Sequence, residues 1–441
     1  METNTFDIRA FSIARYLAQG SAAKDSNKIG FELEHFVVQK DTQTPVPYFS
    51  DTKTAKPGVA DILEHLAPFF EEQVYEQHED ASVSLIALSR PKLTITLEPG
   101  AQLEISIGPV TTLAEIENLY EGFREQLDPV LDNMGCELRE LGYHPRACAH
   151  EIPLIPKDRY HHMDQHFAQT GKHGICMMRA TASTQTSIDF FNEEDAVRKF
   201  RIAHALGPFF AFITDNAPVY EGVALRGDAP VPASRSGLEI PYRMARMANW
   251  DDCDPLRCLT PAHTFDEDFG FLSYAQTLLE APAIFWYTDE TRHETRYEGS
   301  TPFSQILPCE ALDEKDIEHV LSMFFYDVRF RRYIEIRQAD SMPLAYGLAF
   351  VALIKGIFYN EEALLFYEER FKYLDPAAIA FAKTALRKHG YEALVYQRPA
   401  VAWLDELIAF ADKGLESQER HYLAPLAELV QQRTTLLERA I

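Results

Sequence analysis

A chain of 441 residues exceeds the usual size of a single hydrophobic core, so two lobes or one large elaborated domain are expected. Hydrophobic residues make up 46% and charged residues 25%, which excludes wholesale disorder. Asp and Glu number 67 against 42 Lys and Arg, and the resulting net charge of −25 repels nucleic acid.

Residues 8–20 have the spacing of a short amphipathic helix, and Lys28 to Val38 reads as a strand. Pro45 to Phe49 opens a loop, and Val59 to Phe70 reads as a helix. Lys92 to Ile107 reads as one or two strands. Thr112, with Glu115 three residues on, is the N-cap of a helix running towards Leu131. Ser183 to Asp189 is strand-like, and Asn192 caps a helix from Glu193 to about Leu206. Val219 to Pro261 is irregular and rich in Pro, Gly, Arg and Asp, the composition of functional loops. Tyr333 to Arg337 alternates like a strand. From Leu344 the segments turn helical, with breaks near Asn360, at Asp375-Pro376 and around Arg398-Pro399. The expected organisation is an α+β core over 1–343 with a helical C-terminal region, 344–441, packed on it.

The cysteines, Cys136, Cys148, Cys176, Cys253, Cys258 and Cys309, include no Cys-x-x-Cys pair and suggest neither a zinc site nor a disulfide framework. Met1 to Ala10 lacks the basic and apolar regions of a signal peptide. No apolar run is long enough to span a bilayer. The expectation is a reduced, cytoplasmic protein with small-molecule partners, no nucleic acid and no membrane; its oligomeric state stays open. Six histidines lie between His144 and His173, but only His162 and His166 stand four apart, and exposed or core histidines are commoner than ligands.

The chemistry is concentrated in two acidic segments. In Ile29-Gly30-Phe31-Glu32-Leu33-Glu34, strand alternation puts Glu32 and Glu34 on one face and Phe31 and Leu33 on the other. In Leu97-Glu98-Pro99-Gly100-Ala101-Gln102-Leu103-Glu104, Gln102 and Glu104 pair in the same way. Parallel carboxylates on one face repel unless a cation lies between them, and a hard ion such as Mg²⁺ suits oxygen ligands. Alone, Glu-x-Glu on a strand is more often a solvated face. A third segment, Tyr333-Ile334-Glu335-Ile336-Arg337, adds a carboxylate and a guanidinium on one face, a combination that can ligate a metal and fork onto a phosphate. Glu32, Glu34, Glu98, Glu104 and Glu335 suffice for two or more divalent ions, as phosphoryl transfer often uses.

These segments resemble the glutamate–cysteine ligase family of the plant and proteobacterial type. The first is similar to its Ile-Gly-x-Glu-x-Glu strand, and Leu97 to Ser106 to its second acidic strand, departing at Ala101 and Ile105. Pro156-Lys157-Asp158-Arg159-Tyr160 with Met163, then Met177-Met178 with Thr181, Gln185 and Asp189, follow in the family's order. So do Arg243, Arg246, Trp250, Asp252, Asp254 and Arg257, then Asp268-Phe269-Gly270-Phe271 with Tyr274, then Asp327-Val328-Arg329 leading into the third strand. Ala182, Ser187, Phe325 to Asp327 and Arg331 depart from the pattern.

The resemblance implies a glutamine-synthetase-like fold, a curved antiparallel sheet forming an open funnel flanked by helices. It implies ATP-dependent ligation of the γ-carboxylate of L-glutamate to L-cysteine through γ-glutamyl phosphate, the first step of glutathione-type thiol synthesis. A related γ-glutamyl or carboxylate–amine ligase with another amine acceptor is the alternative. Metal ligation by two or more Mg²⁺ falls to Glu32, Glu34, Glu98, Glu104, Gln185 and Glu335. Arg246, Arg257 and Arg337 would neutralise the substrate carboxylate and the moving phosphoryl group, with Arg243, Trp250, Arg159 and Tyr160 also in contact with substrate. From the residues themselves, a metal-dependent phosphohydrolase or nuclease and a non-catalytic binding module are the competing classes; the net charge argues against the nuclease, and retained like-charge clusters against the binding module.

Overall fold

The structure, a computed structural model, describes the chain except for residues 1–6, 52, 54–55, 78–81, 226–233, 240–242, 289–294 and 440–441. Part of the irregular segment expected over Val219 to Pro261 therefore lies outside the described residues, as does most of Met1 to Ala10.

Among the described residues, nine antiparallel strands form the principal sheet. In chain order they are β1 (Ile29–Gln39), β2 (Glu72–Gln77), β3 (Val83–Arg90), β4 (Leu93–Leu97), β5 (Leu103–Val110), β6 (Cys136–Arg139), β7 (Ser183–Ile188), β8 (Val328–Phe330) and β9 (Ile334–Asp340). Across the sheet they run β8-β9-β7-β1-β5-β4-β3-β2, with β6 on the far end of β1. Strand β1 is central because its sequence suits both faces. Phe31 and Leu33 are fully buried on one side, while Glu32 and Glu34 point to the other.

The apolar side of the sheet is covered by helices. Leu344–Phe358 is buried almost all round, as its near-continuous apolar sequence requires. It approaches the sheet so closely that a Cβ on Gly347 would come 3.2 Å from the Phe31 ring. Leu113–Met134 packs beside it, its start capped by the Thr112 side chain accepting from the Glu115 N–H as expected. Glu193–Ile213 continues two turns beyond the expected end because Gly207 to Ile213 is entirely apolar and buried. The helical region after Leu344 shares one continuous hydrophobic core with the sheet. Asn360 and Asp375 break that region by capping the helices that follow them, Glu361–Phe371 and Pro376–His389. This agrees with the expected α+β class: an antiparallel sheet, flanking helices and a helical C-terminal region. Among the described residues no helix is long and apolar enough to cross a membrane.

Candidate active site

The polar face of the sheet forms the floor of a cavity of about 940 Å³. Strand register brings the acidic segments together there. Glu34 on β1 lies opposite Glu104 on β5, which lies opposite Thr96 on β4. Glu32 lies opposite Gln185 on β7, and Glu335 on β9 opposite Ser187. Glu98 reaches the same cavity from the turn between β4 and β5. That turn closes with the Ala101 N–H donating to the Glu98 carbonyl at 2.9 Å, and with Ala101 at φ +63°. The sequence reading paired Gln102 with Glu104 on a strand face. Gln102 lines the cavity, but it precedes β5, and its amide fixes the turn by accepting from the Gly100 N–H and donating to the Thr181 carbonyl, both at 2.8 Å.

The carboxylates fall into two electrostatic groups. Glu34 accepts from the Ser183 N–H and hydroxyl, each at 2.7 Å, and from the Gln185 amide at 3.0 Å. Glu335 accepts from Arg329 and from Arg337, the latter at 2.9 Å; although burial pushes its pKa up, the two guanidiniums prevail and hold it at about 2. Glu32, Glu98 and Glu104 are different. Among the described residues only Glu104 has a side-chain donor, the Thr96 hydroxyl at 2.7 Å. Burial and then neighbouring carboxylates push Glu98 up to about 8 and Glu104 to about 7, and raise Glu32 as well. Among the described residues these three carboxylates repel one another and form no ion pair, which suits them to divalent cations, although they do not lie close enough together to share a single ion in this structure. Glu335 is the exception among the predicted ligands, because two arginines already neutralise it. Gln185 links Glu34 to Arg337, its amide nitrogen donating to the one and its amide oxygen accepting from the other.

The predicted substrate residues divide as well. Arg159, Tyr160, Trp250 and Arg337 line the cavity. Tyr160 donates to the Leu97 carbonyl at 3.1 Å, which ties the helix Asp158–Thr170 to the β4 end of the sheet. Arg243, Arg246 and Arg257 are not on the cavity wall. Arg257 is fully buried, with its Nε 3.0 Å from Asp254 Oδ2 and its guanidinium 5.3 Å from the Phe324 ring centre. It also donates to the Met323 carbonyl at 3.4 Å, so its fork is spent on structure. Arg243 turns towards Glu438 at 3.5 Å. Arg246 stands one layer behind the wall. It donates to the Arg337 and Gln338 carbonyls at 3.1 and 3.3 Å and lies 5.5 Å from the Trp250 ring, whose other close cation is Arg337 at 5.8 Å. The three arginines expected to contact substrate thus stand off the cavity wall here, with acids, carbonyls and rings as their partners.

Sequence reasoning missed Arg329, Arg331, Arg332, Tyr16 and Tyr333, all of which line the cavity. The signal was present, since Arg329 lies opposite Glu335 in the β8–β9 hairpin. It also missed the role of the C-terminal helix Pro376–His389. Buried Lys383 pairs with Asp251, next to Trp250, at 2.7 Å and with Asp327, next to β8, at 2.5 Å. The helical region thereby holds two walls of the cavity in register. The histidines stay structural: His166 pairs with Asp254 at 2.8 Å, and His162 with Thr295 at 2.9 Å. Among the described residues, the one His/Cys/Asp/Glu cluster with metal-like spacing, Cys148 with His150 and Glu151, has its glutamate engaged by Arg235 at 2.7 Å. All six cysteines are free thiols.

A sheet face that gathers uncompensated carboxylates and arginines in one cavity defines a candidate centre for divalent cations and anionic substrates. The comparisons place it more closely. The model of glutamate-cysteine ligase family 2 matches residues 28–436, and the chain belongs to that family. Among curated relatives, glutamate–cysteine ligase B, chloroplastic, of Oryza sativa subsp. japonica is 31% identical over 354 residues, 79% of this chain and 66% of the relative. The chloroplastic enzyme of Arabidopsis thaliana is 31% identical over 79% of this chain and 62% of its own length. That of Solanum lycopersicum is 29% identical over 97% and 78%. The chain thus spans 66% and 62% of the length of the first two. A crystal structure of the glutamate–cysteine ligase of Francisella tularensis in complex with AMP aligns at a TM-score of 0.46 and 12% identity, covering 93% of this chain and 83% of that one.

Proposed function

We propose that the chain joins the γ-carboxylate of L-glutamate to the amine of L-cysteine, with ATP converted to ADP and phosphate through γ-glutamyl phosphate. The observation that carries this reading is the meeting of Glu32, Glu98 and Glu104 with Arg337 in one cavity of a chain belonging to this ligase family. The glutamates fit two or more Mg²⁺ ions, which when bound would offset charge on the nucleotide phosphates. The remaining steps fall to the protein. A carboxylate is a poor electrophile, so phosphorylation must precede attack by the amine. Arg337, fixed by Glu335 and Gln185, faces the cavity where the anionic groups would meet. Met163, Met177, Met178 and Phe325 make the wall near Tyr160 apolar, which suits a small thiol side chain. Six unpaired thiols accord with a reducing compartment, for which we propose the cytoplasm.

The test is ADP release with Mg²⁺-ATP, glutamate and cysteine, each omitted in turn, with product identification over a panel of amines. ADP formation that needs glutamate and cysteine, with ¹⁸O passing from the glutamate γ-carboxylate into phosphate, is the expected result. Formation of AMP and pyrophosphate, or label retained wholly in the peptide, overturns the mechanism. Preference for another amine overturns the acceptor alone.

A further inference from the structure

The cavity's arginines differ in what they already hold. Arg329 and Arg337 are committed to Glu335. Arg332 pairs with Glu314 at 2.5 Å and lies 4.3 Å from the Tyr16 ring. Arg159 donates to the Ser322 carbonyl at 3.3 Å but has no acidic partner. Arg331 holds nothing. Its backbone N–H donates to the Tyr333 carbonyl at 2.8 Å, yet among the described residues its half-buried guanidinium has neither a hydrogen bond nor an ion pair. An uncompensated, partly buried cation is costly. The nearest carboxylate to act on it is Glu335, and that group is already paired with Arg329 and Arg337.

Its position is built rather than incidental. A Cβ on Gly20, in the turn after the first helix, would come 2.2 Å from the Arg332 carbonyl oxygen, so that turn is pressed against the Arg331–Arg332 backbone. The two uncommitted arginines are also separated. The helix Glu314–Leu321 starts beside Arg332 and ends beside Ser322, the partner of Arg159. Eight residues of helix span about 12 Å, so Arg332, the neighbour of Arg331 in sequence, stands at one end and Arg159 at the other. The Arg159 end carries Tyr160 and the methionines. At the Arg331 end, Glu32, Arg332 and Tyr333 also line a second cavity of about 710 Å³, reached by Lys28, Arg90 and Lys92.

We propose that Arg331 is a phosphate-binding residue that grips the polyphosphate of the nucleoside triphosphate, while Arg159 serves the amino-acid end of the same cavity. The proposal rests on the ATP-dependent reading above. A planar guanidinium with no internal partner forks onto phosphate oxygens, and the adjoining cavity offers room for the nucleoside.

The test separates the two readings by using a ligand that needs no turnover. Binding of inorganic tripolyphosphate with Mg²⁺ is measured by calorimetry on the full chain, for wild type, Arg331→Met and Arg331→Lys. KM for ATP and for glutamate are measured alongside. Arg331→Met should weaken tripolyphosphate binding and raise the KM for ATP by about tenfold or more, the worth of one charge-assisted contact, with the KM for glutamate within about twofold. Arg331→Lys should fall between, and Arg159→Met should instead raise the KM for glutamate. Removing an uncompensated charge leaves the fold intact, which a melting curve checks; should Arg331→Met not fold, Arg331→Lys carries the comparison. Unchanged tripolyphosphate binding in the variant, no binding by wild type, or a loss expressed in the glutamate KM overturns the inference. Arg331-dependent tripolyphosphate binding in a protein that releases no ADP with glutamate and cysteine supports this site and overturns the proposed function.

Discussion

The strands β1, β5 and β9 and the segment Arg243 to Arg257 both carry charged residues, yet the strands deliver Glu32, Glu34, Glu104, Glu335 and Arg337 to the cavity while the segment delivers none of its arginines. On a strand the side chain's direction follows from its parity, so Glu32, Glu34 and Glu104 face one way once Phe31, Leu33 and Ile105 are buried the other way. In the segment, two short helices, Ala245–Asp251 and Pro255–Cys258, leave direction to whichever partner lies nearby. Asp254 takes Arg257, Glu438 faces Arg243, and carbonyls of β9 take Arg246. Spacing is therefore informative about function where alternation fixes direction. Where tertiary partners fix it, a regularly spaced cation is as much a packing device as a ligand-binding group.

The sharpest way to break the comparison lies on the strands. Glu104→Ala or Glu32→Ala should lower turnover by about a thousandfold or more, the scale of losing a metal-supporting charge. Because each carboxylate repels its neighbours in the metal-free protein, thermal stability without Mg²⁺ should hold or rise. Near-normal kcat in both variants would remove these carboxylates from the chemistry.

The buried segment should answer in the opposite currency. Arg257→Met strands the Asp254 carboxylate in the core and should cost about 3–5 kcal/mol of stability in denaturant unfolding. Arg246→Met should cost about 1–3 kcal/mol and act on kcat through Trp250 and the β9 carbonyls. If Arg257→Met unfolds like wild type but loses glutamate affinity, Arg257 reaches substrate after all and the contrast between the regions collapses.

The same contrast bears on how much could be read from the residues. The expected strands over Lys28 to Val38 and Lys92 to Ile107, the caps at Thr112 and Asn192, and the helical region after Leu344 are all present, because alternation and capping are local. Strands β2, β3, β6 and β8, the helices Asp158–Thr170 and Glu314–Leu321, and the arginines of the β8–β9 turn were not assigned. Exposed β2 has no buried face to give it a period, and β8 is too short to show one. Arg331 differs from Arg329 only in lacking an acidic partner, and pairing across the chain is not written in spacing.

A pH titration sharpens the carboxylate side with a smaller effect. Glu98 and Glu104 hold protons in the folded state up to about 8 and about 7, well above the ordinary carboxylate value. Between pH 5 and 8 the folded protein therefore binds more protons than the unfolded chain, so these groups make stability fall as pH rises. Glu335, held at about 2, contributes stability that is full above the ordinary carboxylate value and is lost only as pH falls towards 2, outside this window. Melting in EDTA should thus weaken from pH 5.5 to 8, and added Mg²⁺ should stabilise more at pH 8 than at pH 5.5. A metal effect independent of pH would contradict the assignment.

The smallest effect lies in the turn that lifts Glu98 into the cavity. Ala101 stands at φ +63°, where an L side chain carries about 1–2 kcal/mol of strain. Ala101→Gly removes that strain, but it also frees the unfolded chain by about 0.4–1 kcal/mol and gives up the burial of one methyl, worth about 0.8 kcal/mol. The terms nearly cancel, so the variant should unfold within about 0.5 kcal/mol of wild type and keep full turnover. Ala101→Val has no such cancellation. A β-branched residue at this angle is a genuine outlier, and its extra carbons have no room at a buried site, so it should lose about 1–3 kcal/mol. Because the Ala101 N–H closes on the Glu98 carbonyl, relaxation of that strain would move the Glu98 carboxylate, and Mg²⁺ dependence should weaken along with stability. A valine variant that is less stable but binds Mg²⁺ as wild type would show that Glu98 is held by β4 alone, and would take the turn out of the site.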